Sequence, residues 1–319
     1  MSRVPRGSPP SDRPGAAAAG LRPRLRGVMV PLVTPFTSAL AIDWPAFDQH
    51  VDRLLASGVG VLLPGDLVGE AWALQMDEKT ELIARTVRLA AGRALVVAKI
   101  SEPALPAAAT LARRARALGA DAVKVTVAAG SGDHEALDEY VHAAGPGSGL
   151  PFVLETAGGP LPTRLLDGLA DHPGLVGIEE TSLDLDRFDL LVQRYGARIP
   201  IIAGSEDVLG FTLLLGAAGL MTATPNFAPG FMQALCAAAA AGDAARTLDL
   251  YRRLRRYRRL FEPELRAGVP MFVTYTKAAL ELLGHRAGPP RPPLRRLRPG
   301  ELEALRAILR EALPTPAGF

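Results

Sequence analysis

From residue 27 onward, short apolar runs alternate with longer stretches in which apolar residues recur every three to four positions. The short runs cover residues 27–35, 58–66, 94–101, 121–127, 151–156, 175–181, 199–205 and 219–225, the length and composition of buried strands. Between them lie helical patterns. Residues 44–57 place Phe47, Val51, Leu54 and Leu55 on one face, and 77–91 and 104–118 repeat that period. Asp77 reads as a helix N-cap, Gly119 as a stop, and Thr163 as the cap of a helix running to Ala170. Eight strand signals, each followed by a helix signal, predict an α/β fold of the (β/α)8 TIM barrel type. An open doubly wound sheet is the competing arrangement. No G-x-G-x-x-G opens a helix after a strand, and no Walker A motif is present.

Helical patterns continue past the eighth unit, at 232–241, 244–261, 274–283 and 299–313, and predict a C-terminal helical extension. The Pro- and Arg-rich stretch 288–301 before the last of them cannot be helical throughout. The first residues mix Pro, Gly, Ser and Arg, with prolines at 5, 9, 10, 14 and 23 that oppose an amphipathic helix. The expected organisation is a disordered tail over 1–24, a barrel over 25–230 and a helical region over 231–319.

Hydrophobic residues make up 48 % of the 319 and charged residues 22 %, enough for a large core. Aromatics are only 5 %, so Ala, Leu and Val must build that core. The net charge of +3 comes from Arg-rich ends rather than a basic face, so no nucleic-acid partner is expected. No run reaches the ~18 apolar residues of a membrane span, and no membrane partner is expected. The N-terminus lacks the apolar core of a secretory signal. The single cysteine, Cys236, excludes an internal disulfide framework and fits a cytoplasmic location.

Several segments resemble the dihydrodipicolinate synthase/N-acetylneuraminate lyase family over residues 27–315. They are Gly27-Val-Met-Val-Pro-Leu-Val-Thr-Pro-Phe36, Asp43 after it, Gly69-Glu70, Leu175-Val-Gly-Ile178, Pro225-Asn226 with Ala228-Pro229, Lys277-Ala-Ala-Leu-Glu-Leu-Leu-Gly284 and Arg291-Pro-Pro-Leu294. The resemblance implies a barrel with a C-terminal helical bundle, assembled as a homo-oligomer. It also implies aldol or dehydration chemistry on a 2-oxo acid, commonly pyruvate, through an imine on a strand-six lysine. The chemical positions depart from that pattern. The lysine falls on Glu179, the strand-five tyrosine on Glu155, the carboxylate-binding arginine on about Pro160, and two threonines on Leu67 and Val68. A pair of tyrosines falls near Ala129 and Gly130. A carboxylate cannot form an imine, so the fold transfers and the standard mechanism does not.

Charged residues lie within the predicted strands, where barrels are buried on both faces, among them Lys99, Lys124, Glu155 and Glu179. The resemblance makes Glu155 and Glu179 neighbours. Two adjacent buried carboxylates repel, and the two lysines supply the cations that such a pair needs. These four are the candidate catalytic residues. Asp66 and Gly69 after strand two, Ser131 after strand four, and Gly204 and Ser205 after strand seven are candidate substrate contacts. Asp66, Glu155 and Glu179 are oxygen donors suited to Mg²⁺, but no ligand spacing supports a site, so no metal or other cofactor is assigned. Glu70 reads as a loop brace. The five histidines fall on helices or loops, with His134 nearest the barrel mouth.

The expected function is that of a lyase or aldolase acting on a small oxo or hydroxy acid without the strand-six imine. A non-catalytic binding or regulatory homologue and a metal-assisted enolate enzyme are the other readings.

Overall fold

The eight apolar runs form strands in the computed structural model, which describes residues 14–128, 134–157 and 163–313. They are β1 (Gly27–Pro31), β2 (Val61–Leu63), β3 (Leu95–Ile100), β4 (Ala122–Ala128), β5 (Phe152–Ala157), β6 (Leu175–Glu180), β7 (Ile201–Ala203) and β8 (Gly219–Met221). All are parallel and pair in chain order, and β8 pairs with β1 to close the barrel. The expected TIM barrel is therefore observed. β1, β2 and β8 end before their apolar runs do. After β2 the chain passes through 3-10 turns at Leu67–Gly69 and Ala71–Ala73, and after β8 through one at Thr224–Asn226.

Helices surround the strands. α1 (Pro14–Leu21) precedes β1, and α2 (Trp44–Ala56), α3 (Met76–Ala90), α4 (Leu105–Ala117), α5 (His134–Ala144), α6 (Thr163–Ala170), α7 (Leu185–Tyr195) and α8 (Leu209–Leu214) follow successive strands. α9 (Pro229–Ala240), α10 (Ala244–Arg258), α11 (Glu262–Arg266), α12 (Met271–Leu282) and α13 (Pro299–Glu311) complete the chain. Side chains start several of them. Asp43 accepts from Ala46 N, Asp184 from Arg187 N and Asp243 from Arg246 N, each satisfying an amide that the helix leaves unpaired. Asp77 is not the cap of α3. Gln75 takes that position and Glu78 closes a capping box, which leaves Asp77 in the first turn.

The N-terminal expectation is corrected for residues 14–24, which are helical. Pro14 starts α1, where its missing N–H costs nothing. Ala18, Leu21 and Leu25 are buried with Met29, Val61, Leu95, Val153, Val176 and Ile202 inside the barrel. Arg22 donates to the carbonyl of Leu175 at 2.9 Å, pinning this segment beneath β6. The N-terminal end of the lumen is thus apolar and closed. The charged residues occupy the other end, where βα loops form the working face of such barrels.

The C-terminal helices are tied to that face. Glu70 pairs with Lys277 of α12 at 2.5 Å and accepts from Arg291 N at 2.6 Å. The Phe36 ring lies between the Lys277 ammonium at 4.2 Å and the Arg291 guanidinium at 4.3 Å. Burial pulls the Lys277 ammonium down to about 8 against the opposing pull of Glu70. Glu70 is thus the brace expected from sequence.

Candidate functional site

In register, Lys99 of β3 lies beside Lys124 of β4, Thr126 beside Glu155 of β5, and Glu155 beside Glu179 of β6. Residues paired in a parallel ladder face the same side, and here that side is the lumen. Asp66, just past β2, joins them. Lys124 is 1 % exposed, and its ammonium is the point on which the carboxylates converge. Its Nζ lies 2.6 Å from Asp66 Oδ2, 2.8 Å from Glu179 Oε2 and 3.5 Å from Glu155 Oε2. Lys99 donates to Glu155 Oε2 and lies 3.7 Å from Asp66 Oδ1. Thr126 Oγ1 also donates to Glu155 Oε2.

All four candidate catalytic residues therefore belong to one network. Asp66, expected at the rim as a substrate contact, is buried in it as a third carboxylate. Lys124 does not turn out to solvent. Two lysines face three carboxylates, a formal sum of −1 when every group is ionised. That excess sets the protonation pattern. Burial pushes Glu155 up, but Lys124, Lys99 and their hydrogen bonds outweigh it and hold the carboxyl down at about 2. Burial raises Glu179; Lys124 pulls it back, Glu155 and Asp66 push it up again, and it settles at about 7. Burial would lower Lys124, yet Asp66, Glu155 and Glu179 together keep it well above the ordinary lysine range. Near neutrality Glu179 is therefore the group that gains and loses a proton, while Lys124 stays charged.

The network opens onto a cavity of about 450 Å³, which Asp66, Lys124, Glu155 and Glu179 all line. Gly204 and Ser205 line it too. A Cβ on Gly204 would stand 2.8 Å from Glu179 Oε1, so the missing side chain makes room for that carboxylate. Gly69 does not line the cavity. A Cβ there would lie 2.6 Å from Leu32 O, and its own carbonyl accepts from Thr34 Oγ1, so its smallness serves packing. Ser131 lies outside the described residues, as does the His134 side chain.

Sequence reasoning missed one contributor from the C-terminal helices, Arg258, beside the 204–207 turn. Arg258, from α10, lines the cavity and bonds Asp207 through two nitrogens at 2.8 and 3.1 Å. Arg255 bonds Asp207 as well. Glu206 Oε1 accepts from Thr224 N at 2.9 Å, and its Oε2 lies 3.8 Å from Arg258 Nη1. Arg258 sits in a run of arginines along one helix, and nothing local distinguishes it from its solvated neighbours. His50 is buried, bonds Asn226 and is pushed down to about 3 by burial and Arg53, so it ties α2 to the 3-10 turn after β8 and does not serve the cavity.

Lysine 124 occupies the centre of the three carboxylates, where a metal ion would otherwise have to sit. The arrangement offers a proton carrier, Glu179, beside a fixed cation, Lys124, at one end of an enclosed space. Such a pair can move a proton and stabilise the negative oxygen that results.

The family model described as the dihydrodipicolinate synthetase family matches residues 24–312. A 4-hydroxy-tetrahydrodipicolinate synthase of Anaeromyxobacter sp. is 33 % identical over 273 residues, covering 84 % of this chain and 90 % of that protein. A second, from Streptomyces coelicolor, is 32 % identical over 269 residues, 83 % of this chain and 86 % of the relative. Among solved structures, dihydrodipicolinate synthase of Oceanobacillus iheyensis superposes with a TM-score of 0.85 at 26 % identity, covering 92 % of this chain and 98 % of that one. The Acinetobacter baumannii enzyme, solved with pyruvate, gives 0.82 at 27 % identity over 90 % and 99 %.

Proposed function

The chain belongs to the dihydrodipicolinate synthetase family, and from that premise we propose that it is a divergent lyase which acts on a small oxo or hydroxy compound without an imine on strand six. The observation that carries the proposal is the pairing of Glu179 with Lys124 beside an open cavity. Glu179 stands where the resemblance implies the imine-forming lysine, and it is the member of the network whose carboxyl titrates near neutrality.

In this reading the Glu179 carboxylate takes the proton from the carbon beside the substrate's carbonyl. The C–H electron pair becomes the enolate double bond, and the carbonyl oxygen gains the negative charge. The Lys124 ammonium stabilises that oxygen without giving up its proton. For cleavage of a β-hydroxy compound, Glu179 instead takes the hydroxyl proton as the carbon–carbon bond breaks, and the departing fragment leaves as the enolate. Glu155 and Lys99 position Lys124 and balance its charge. Leu67 and Val68, in the place of the two threonines, line the cavity with apolar surface.

The proposal extends to a cytoplasmic homo-oligomer. Leu67 and Trp72, on the segment after β2, leave large apolar surfaces exposed, which supports a contact with a second copy. One solved relative is described as a monomeric variant, so mass measurement decides the point.

Hydrogen–deuterium exchange at the α-carbon, followed by NMR over a panel of small oxo and hydroxy compounds, tests the chemistry. Exchange that E179Q slows by ~10²-fold or more supports it. Binding without exchange or turnover of any compound would assign the chain to the non-catalytic homologues instead.

A further inference from the structure

A second, smaller cavity lies between α2 and the turn that ends α12, and shares no lining residue with the first. Ala46, Gln49, His50 and Arg53 line it from α2, at the three- and four-residue spacing of one helix face. Gly284, at φ 81°, turns the chain out of α12, and the next two residues, His285 and Arg286, form the other wall. The cavity measures about 120 Å³, well below the ~300 Å³ at which pockets for larger organic ligands begin. Two arginines and two histidines line it, and no carboxylate does.

Hydrogen bonds fix the state of these groups. An arginine only donates, so His50 Nδ1 accepts from Arg53 Nη2 at 3.1 Å. His50 Nε2 then carries the proton and donates to Asn226 Oδ1 at 2.9 Å. Asn226 keeps that orientation because its amide donates to Pro31 O at 2.8 Å and to Ala223 O at 2.9 Å. His50 is therefore neutral, with both ring nitrogens used. The Arg53 guanidinium has no counter-charge. It donates to His50 and to Asn226 O, it forms no ion pair among the described residues, and burial draws it down to about 10 with no carboxylate to pull it back. Among the described residues Arg286 has only Asp43, at 3.5 Å, and that carboxylate oxygen already accepts from Ala46 N. Proteins rarely bury a charge without an opposite one, so a half-buried guanidinium lining a cavity leaves that charge to be supplied from solution.

We propose that this cavity binds a small oxyanion, a phosphate or a carboxylate, held by the guanidinium of Arg53 against the facing wall of His285 and Arg286. A guanidinium presents its N–H groups in one plane and matches two oxygens of such an ion. Burial and Arg53 keep His285 below the ordinary histidine range, so near neutrality its ring is uncharged and still offers one N–H. The Gln49 amide is a further neutral donor on the α2 side. The site is independent of the carbonyl chemistry proposed for Glu179.

Inorganic phosphate and acetate, each titrated into the full chain by calorimetry at an ionic strength held constant with chloride, test the site. Saturation is expected with a Kd of about 1 mM or below, and the tighter of the two ions identifies the source of the oxyanion. R53M should weaken that binding at least about tenfold, and R286A and H285A at least about threefold each. Arg53 also holds the turn after β8, so R53M counts only where its circular dichroism matches wild type. His285 and Arg286 are exposed, and their variants decide the matter on their own. No saturable binding above the chloride control would overturn the proposal. Wild-type affinity in both R286A and H285A would place the anion elsewhere and overturn it equally.

Discussion

Glu179 Oε2 lies 2.8 Å from Lys124 Nζ, so a lysine on β4 points at the carboxylate that stands on β6. β6 itself, Leu175–Glu180, carries no lysine, while a cation reaches the middle of the lumen from two strands away. Three carboxylates keep this ammonium protonated, which suits it to electrostatic work and not to nucleophilic attack.

Removing that cation leaves three buried carboxylates without their shared partner. K124M is expected to cost about 3–5 kcal/mol in urea denaturation. E179Q removes one negative charge from a set that carries an excess of one, and is expected to change stability by less than about 1 kcal/mol at pH 7. Equal losses in the two variants would contradict the charge arrangement.

Stability should also depend on pH through Glu179. Its carboxyl is raised from 4.5 to about 7, so the folded protein holds a proton that the unfolded chain has released. That contribution is fully present below about pH 4.5 and is lost as pH rises through about 7. The groups facing it are Lys124, Glu155, Asp66 and Lys99. Wild type should therefore lose roughly 1–3 kcal/mol relative to E179Q between pH 5 and pH 8. Glu155 contributes in the opposite sense: its carboxyl is held at about 2, so its stabilisation is lost only as pH falls below about 4.5. Denaturation curves of both proteins across that range measure the difference, and parallel profiles would refute it.

Borohydride reduction in the presence of pyruvate, or of any other 2-oxo acid, should leave no adduct on Lys99 or Lys124. Imine formation needs a neutral amine, and the carboxylates hold Lys124 charged. Peptide mass mapping reads the result, and an adduct on either lysine would establish a relocated imine. For the same reason, turnover of pyruvate with aspartate semialdehyde should be undetectable.

The N-terminal segment is expected to be structural. Leu25 is 1 % exposed inside the barrel, and L25A should cost about 2–5 kcal/mol. Deletion of residues 1–24 removes Ala18, Leu21 and the Arg22 bond to Leu175 O, and should lower the thermal midpoint measurably. An unchanged midpoint would show that the closed end does not contribute to stability.

The barrel was legible because each strand is a short apolar run between helical periods, a local pattern that survives in any one sequence. The Glu155–Glu179 contact was legible through the resemblance, which fixed their relative register. The depth of Asp66 was not, since it lies past the end of β2 and its direction depends on how the following 3-10 turn folds back. α1 was hidden by its prolines, which read as helix breakers, although Pro14 sits at a helix start where proline is accommodated. Arg258 reaches the cavity from a C-terminal helix more than fifty residues from Asp66, Lys124 or Glu179 in the chain, and no spacing within the sequence announces that approach.

The apolar closure at the barrel's N-terminal end has a kinetic consequence. Among the described residues, Leu21 and Leu25 close the lumen beneath the network, so solvent meets Glu179 through the cavity that the proposed substrate would also use. A ligand seated there isolates the proton on Glu179 from water for as long as it stays. A proton taken from one carbon would then return to the same molecule more often than it escapes, and isotope placed on the substrate would be conserved through many reversals before it washes out.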